Sequence, residues 1–487
     1  MNQIKSIFAN TSWLTISQTV TSFCAFLWTI IIARYLGVSD YGIVSFAISF
    51  TAISVIFMDL GMSTYATREI AKHKEVLYKY MNNIFLFKII LAILLFFLSL
   101  LILYLMNYPA RTILVTMIFT VEISVMSLTV FLNGVFQAFE KVKYQAIGSI
   151  LNSSLLLLFI LITIGFDFGV ISIAIAYTIA YTIYFAYMFI NYIERFSFPK
   201  FELDAEFIKS TVKNSLPFGL TNFFYTIYFS IDIVMLSYLA GDFATGLYKS
   251  AYNIITVFTT FFVVYQSVIF PVMSKFFQES QELIKVSYEF SIKYLLMIII
   301  PLSVGVYFYA SPLVDLIYSH QYSLSYTTVQ ILIWTVSFLF VNGAGSILLN
   351  AIDKERIVTK IYIWAAIFNV CLNLVLIPML SYEGAAIATV FSEILITILI
   401  LKPILKTSYK PNYKLLISVG KLILCGFILL IVFNLINTSI WLAIPIGFVM
   451  YILSLFLTKS IDNKDKGILK EILSKQNEWI NKINLNL

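Results

Sequence analysis

Basic residues fall almost entirely in alternate gaps between fourteen apolar stretches, and that pattern leaves few folds open to the chain. The stretches run over about 12–33, 41–62, 84–106, 112–133, 146–166, 168–193, 215–239, 250–274, 292–311, 326–350, 359–379, 384–404, 415–434 and 438–458. Each is close to the roughly 20 residues with which a helix crosses a bilayer core. An even number of crossings puts both termini on one side. Arg34, Arg111 and Lys249 lie in the opposite gaps and Lys88 and Lys421 within helix ends, so 27 of the 32 basic residues share the side of the termini. The positive-inside rule makes that side the cytoplasm. The expected fold class is an all-α polytopic membrane protein of 14 transmembrane helices, in the plasma or inner membrane, with both termini cytoplasmic.

Composition agrees. Hydrophobic residues make up 60% of the chain and charged residues 12%, with a mean hydropathy of +0.93, which excludes a soluble domain of this length. The net charge of +7 is spread along the cytoplasmic face, where anionic headgroups attract it, so membrane lipids and not nucleic acid are the expected partners. Cys24, Cys371 and Cys425 lack motif spacing and read as small apolar packing residues. The first stretch is span-length with no small-residue cleavage site after it, so it reads as a retained helix. Outward loops such as Tyr35 to Asp40 and Leu380 to Glu383 are very short, and the longest, near Ser311 to Ser325, has no room for a catalytic domain. An enzyme is therefore not expected. The tail over 459–487 reads as a cytoplasmic amphipathic helix.

An internal repeat divides the chain. Tyr35-Leu36 with Gly42 returns as Tyr238-Leu239 with Gly246; Gln137 to Lys141 resembles Asn350 to Lys354; Asp167-Phe168-Gly169 echoes Tyr382-Glu383-Gly384. The order is kept and the offsets drift only from 203 to 215, which predicts parallel six-helix lobes over 1–204 and 205–407 and an extra helix pair over 408–458. Repeated lobes around a midplane site are a common transporter design. Helical phase supports the offset. Thr15, Gln18, Ser22, Ala25 and Thr29 form a polar or small stripe on span 1, and adding 203 maps its last four members onto Thr221, Tyr225, Tyr228 and Asp232. Span 8 carries Lys249, Asn253, Thr256, Thr260 and Ser267. Such faces cost insertion energy unless they meet water, ligand or another helix, and they predict a shared aqueous cavity.

The segment Ala33-Arg34-Tyr35-Leu36-Gly37 with Tyr41-Gly42, then Asp59-Leu60-Gly61 and Arg68-Glu69-Ile70-Ala71, resembles the start of the Wzx-type polysaccharide flippases of the MATE/MOP exporter superfamily. Gly246-Leu247-Tyr248 before Ala251-Tyr252, and Phe270-Pro271-Val272, resemble that group's second-lobe signatures. The resemblance spans nearly the whole chain. It implies flipping of a polyprenyl-phosphate- or pyrophosphate-linked oligosaccharide between leaflets, by a monomer serving glycan-assembly proteins, driven by an ion gradient or exchange with no bound cofactor or metal. No Walker-type loop occurs. A cation-coupled multidrug exporter of the MATE branch is the alternative, though those proteins usually stop at 12 helices. The lipid II flippase branch is expected to carry arginines in the first-lobe cavity, and span 1 has none before Arg34.

Several polar residues sit where hydrocarbon makes them expensive. Glu122 lies mid-span 4 and Asp232 two turns inside span 7; an unpaired charge at such depth costs about 2.5–3.5 kcal/mol on insertion scales. Both are candidates for the cavity or for coupling. Lys249 and Arg34, outward-side cations, are candidates for the lipid phosphate, with Lys249 also able to pair with Asp232. Gln18, Tyr225, Tyr228 and Asn253 complete the expected cavity. Asp59 and Arg68 are expected to pair at a cytoplasmic gate, Lys88 and Lys421 to reach headgroups, and Glu393 to pair structurally.

Overall fold

Hydrocarbon offers backbone groups no hydrogen-bond partner, so long apolar segments must satisfy them internally as helices. The computed structural model describes residues 2–200, 202–436 and 438–461, with the backbone alone described for 2–9 and 221. The predicted tail helix falls largely on 462–487, outside the described residues. The α-helices are α1 (Asn2–Asp59), α2 (Met62–Lys72), α3 (Leu77–Leu105), α4 (Ala110–Ala138), α5 (Val142–Gly165), α6 (Gly169–Arg195), α7 (Ala205–Glu279), α8 (Gln281–Phe308), α9 (Ala310–Tyr318), α10 (Tyr326–Ala351), α11 (Glu355–Leu405), α12 (Tyr413–Ile436) and α13 (Ile440–Leu457). No strand occurs among the described residues. All but α2 and α9 are long and apolar enough to cross a membrane. Non-helical residues divide three of those eleven, α1 at Gly37, α7 at Gly241 and α11 at Ser381, which gives fourteen crossings among the described residues.

Those breaks correct the expected outward loops. Where loops were expected at Tyr35 to Asp40 and Leu380 to Glu383, one residue turns the chain and the helix resumes. Gly37 (φ 73°, ψ 178°) and Gly241 (φ 85°, ψ 177°) occupy a region that is essentially open only to glycine. Left-handed residues recur along the chain in pairs: Gly37 with Gly241, Asn107 with Ser319, Glu140 with Asp353, Asp167 with Ser381, at separations of 204, 212, 213 and 214. The long segment near Ser311 to Ser325, expected as an outward loop, is also more ordered than a loop, forming α9 and a 3₁₀ turn, His320–Ser325. On the other side α2 buries Met62, Ala66 and Ile70, one face at intervals of four.

Two compact units emerge. The first comprises Met1–Asn253, Val314–Thr328 and Thr359–Ser392; the second Ile254–Leu313, Val329–Val358 and Glu393–Leu487. This is a division by compactness, whereas the lobes drawn at 204/205 are a division by repeat. In the first unit, Met62, Ile70, Met81, Phe131, Phe136, Met188 and Tyr192 form one buried cluster of α2, α3, α4 and α6. In the second, α8, α10, α11 and α12 surround an apolar cavity of about 410 Å³ beside Ile300, Trp334, Phe338 and Phe427. Large apolar side chains stand exposed on α3 (Ile93, Leu94, Phe97) and α12 (Leu416, Phe427, Ile431), a surface suited to lipid.

Candidate functional site

Every site residue expected from the sequence falls in the first unit. Asp232, 5% exposed, is surrounded by neutral donors. Tyr248 and Thr389 donate their hydroxyls to Oδ2, each at 2.8 Å, and Asn373 donates its amide to Oδ1 at 2.6 Å. The same amide donates to Asn369 Oδ1 at 2.9 Å. Asn369 and Asn373 precede the break in α11 at Ser381 and Thr389 follows it, so one carboxyl ties α7 to both halves of a broken helix. Asn373 Oδ1 is buried without a partner. No group of three or more His, Cys, Asp or Glu residues that could hold a metal occurs among the described residues. The Asp232 centre offers instead one carboxylate with amide and hydroxyl oxygens, a donor set for a proton or a hard monovalent cation rather than a transition metal.

The expected Asp232–Lys249 pair does not form. Lys249 is directed instead over the Tyr252 ring, 5.8 Å from its centroid. Asn253 donates to Tyr41 Oη at 2.6 Å. Arg34 donates from Nε to the Ile317 carbonyl at 2.7 Å and from Nη2 to that of Leu316. It thereby caps the last turn of α9, where unsatisfied carbonyls and the helix dipole favour a cation.

The gate pairing also differs from expectation. Asp59 receives Lys88 Nζ and Ser63 Oγ, both on Oδ1, while Nζ also donates to Ser63 Oγ at 3.0 Å. Lys88 is 0% exposed and does not reach headgroups. Arg68 lies exposed beside Glu69 at 3.3 Å, while the partners of Asp59 are Lys88 and Ser63. Lys421 donates to the Lys459 carbonyl at 3.0 Å. In the second unit, Glu393 accepts from Asn342 at 2.7 Å, a structural pairing as expected.

Glu122 is different again. It is 6% exposed, and among the described residues it makes no hydrogen bond or ion pair; Tyr177 and Tyr181 of α6 are near enough to feel its charge. Gln18 is exposed and donates to Ser22 Oγ at 3.2 Å. Tyr228 is buried edge-on to Tyr362, while Tyr225 is 61% exposed and lines a cavity of about 230 Å³ together with Asp59. Sequence reasoning missed Asn369, Asn373 and Thr389. Two asparagines four apart on an apolar span were the available signal.

Helix backbones meet closely at two places in this unit. A Cβ on Gly42 would collide with the Asp242 carbonyl and one on Gly246 with that of Val38, a reciprocal contact between positions 204 apart. Near the other end of the same helices, Ser215 donates to the Leu60 carbonyl at 2.9 Å and Gly61 faces Gly219 backbone to backbone.

Known proteins resemble this chain in different measure. A model of the family described as polysaccharide biosynthesis protein matches residues 7–277, and the MatE model matches 217–375. An uncharacterized membrane protein of Methanocaldococcus jannaschii is 28% identical over 253 residues, 50% of this chain and 49% of its own. A Shigella dysenteriae protein named for O-antigen transport is 26% identical over 200 residues, 40% of this chain and 48% of its own. The chain thus spans about half the length of these curated relatives. Among solved structures, the lipid II flippase MurJ in an inward closed conformation superposes with a TM-score of 0.77 over 92% of this chain and 99% of that one, at 16% identity; at that identity the likeness is one of fold. With more than half of its length matched by the family model, the chain belongs to the polysaccharide biosynthesis protein family.

Proposed function

We propose that the chain is a flippase that carries a polyprenyl-phosphate- or pyrophosphate-linked oligosaccharide from the cytoplasmic to the outer leaflet of the cell membrane. Membership of the polysaccharide biosynthesis family carries this reading, and the fold held in common with a lipid II flippase supports it. In this reading the six-helix lobes 1–204 and 205–407 alternate access around a polar path, the pair 408–458 is an addition beside them, and both termini are cytoplasmic. The protein works as a monomer, hands its product to glycan-assembly proteins and performs no covalent chemistry.

Coupling resides at Asp232. Its carboxyl joins α7 to the two halves of α11, so a proton or alkali ion entering the centre redistributes the hydroxyl and amide bonds that hold the broken helix together. A ligand can shift a conformational equilibrium only through such differential contacts. The test is surface-glycan assembly in a host lacking its own lipid-linked-saccharide exporter. Wild-type protein should restore it and Asp232→Asn should not, at matched membrane levels. Restoration by neither refutes the flippase; restoration by both refutes Asp232 as the coupling group. The MatE match over 217–375 favours a second reading, a cation-coupled drug exporter, in which the host would gain drug tolerance and no glycan.

A further inference from the structure

We infer that the cavity between α1, α4 and α7 is a subsite for one neutral sugar ring. This inference rests on the flippase reading for its biological source, but its chemistry is read from the lining. The cavity holds about 230 Å³ and is lined on its polar side by Asp59, Ser127, Asn222, Tyr225 and Thr226. Ser127 is 3% exposed, yet neither it nor Asn222 nor Thr226 has a hydrogen-bond partner among the described residues. Asn222 is exposed and Thr226 half-buried, and with Ser127 they bring hydrogen-bonding groups from α4 and α7 to one space.

The donor set selects the ligand. An amide both donates and accepts, hydroxyls do either, and a carboxylate accepts only; together they match the alternating hydroxyls of a saccharide. Tyr225 adds an exposed aromatic face. A phosphate is disfavoured, because no lysine or arginine lines the cavity and the one charged lining group is an acid. A cation is disfavoured as well, since Lys88 already neutralises Asp59 from the buried side and fixes it as an acceptor. Small-molecule pockets for drug-sized ligands run to about 300–1,000 Å³, so this space suits a single ring and not a whole oligosaccharide. Positive-inside orientation puts it at the cytoplasmic end of spans 2, 4 and 7, where a lipid-linked glycan would first be engaged.

The test uses the full chain in lipid nanodiscs and saturation-transfer NMR with free neutral hexoses and N-acetylhexosamines, with inorganic pyrophosphate and tetraphenylphosphonium as competing probes. Asn222→Ala and Thr226→Val remove one hydrogen-bonding group each without stranding a partner, and unchanged melting confirms that they fold. Each should weaken sugar binding by roughly three- to tenfold, the worth of one neutral hydrogen bond. Tyr225→Leu should do likewise and Tyr225→Phe should not. Neither charged probe should compete. Absence of sugar binding that depends on Asn222 and Thr226, or displacement by pyrophosphate or tetraphenylphosphonium, overturns the proposal. Vesicle translocation of a lipid-linked saccharide separates the two readings. Variants that flip and bind like the wild type overturn the subsite and leave the flippase standing; a wild type that binds sugar through these residues but flips nothing supports the subsite and overturns the flippase.

Discussion

Lys88→Met isolates the buried ion pair at the end of α1. Lys88 is 0% exposed and the Asp59 side chain 22%, so the substitution leaves a largely buried carboxylate with only Ser63 as donor. Breaking a buried pair by removing one partner costs about 3–5 kcal/mol, because the remaining charge is uncompensated. Residual exposure and the Ser63 hydroxyl relieve part of that here, and a loss of about 2–3 kcal/mol is expected. Methionine keeps most of the stem's packing, so little of this comes from a cavity. Reversible unfolding of the purified protein in mixed detergent micelles measures it. The double variant Lys88→Met/Asp59→Asn removes the stranded charge and should recover at least half of the loss. A single variant as stable as the wild type, or a double variant no better than the single, would refute the pairing.

Glu122→Gln should leave unfolding stability within about 0.5 kcal/mol of wild type, since the carboxyl has no hydrogen bond to lose, while transport in the same preparation falls; unchanged transport makes Glu122 a structural residue. Gly246→Val should abolish transport at normal expression, because its side chain meets the Val38 carbonyl, whereas Gly305→Val, with open space around it, should be tolerated; equal activity of the two would discount the close helix contact. Arg34→Gln should weaken the capping of α9 and cost about 1 kcal/mol or less in stability. If it also slows transport of every lipid-linked sugar alike, Arg34 contacts the common phosphate, and if transport is unaffected its role is the cap alone. Cysteine at Asn107 should react with an impermeant thiol reagent added outside and cysteine at Ser280 should not; the reverse pattern inverts the orientation and the direction of export.

The crossings were legible because hydrocarbon length and backbone satisfaction leave a strongly apolar stretch one choice. The short connections were harder, since one glycine at 37 or 241 turns a helix as sharply as a five-residue connection would, and hydropathy does not separate the two. Asp232 stood out from the sequence as a lone acid on an apolar span, but its partners did not. Asn373 and Thr389 lie 141 and 157 positions away, and a hydroxyl or amide on a membrane helix is individually unremarkable. Lys88 was misread for a geometric reason. Hydropathy started its span at 84, one turn away, whereas α3 begins at Leu77, about three turns before Lys88, so its amine meets Asp59 rather than the headgroups. Arg34 stood in a motif resembling a family signature, yet its contact is with a helix end that lay hidden in an apparent loop.

Translocation itself is the most direct measurement of the central claim. Proteoliposomes holding a polyprenyl-pyrophosphate-linked saccharide, with a membrane-impermeant glycosyltransferase and labelled sugar nucleotide outside, report the lipid that reaches the outer leaflet. Wild-type protein should expose inner-leaflet substrate well beyond protein-free vesicles and Asp232→Asn should not, while a cationic dye added to the same vesicles should not be moved. Saccharide exposure no faster than in protein-free vesicles, together with cation-coupled movement of the dye, would contradict the account and identify a drug exporter.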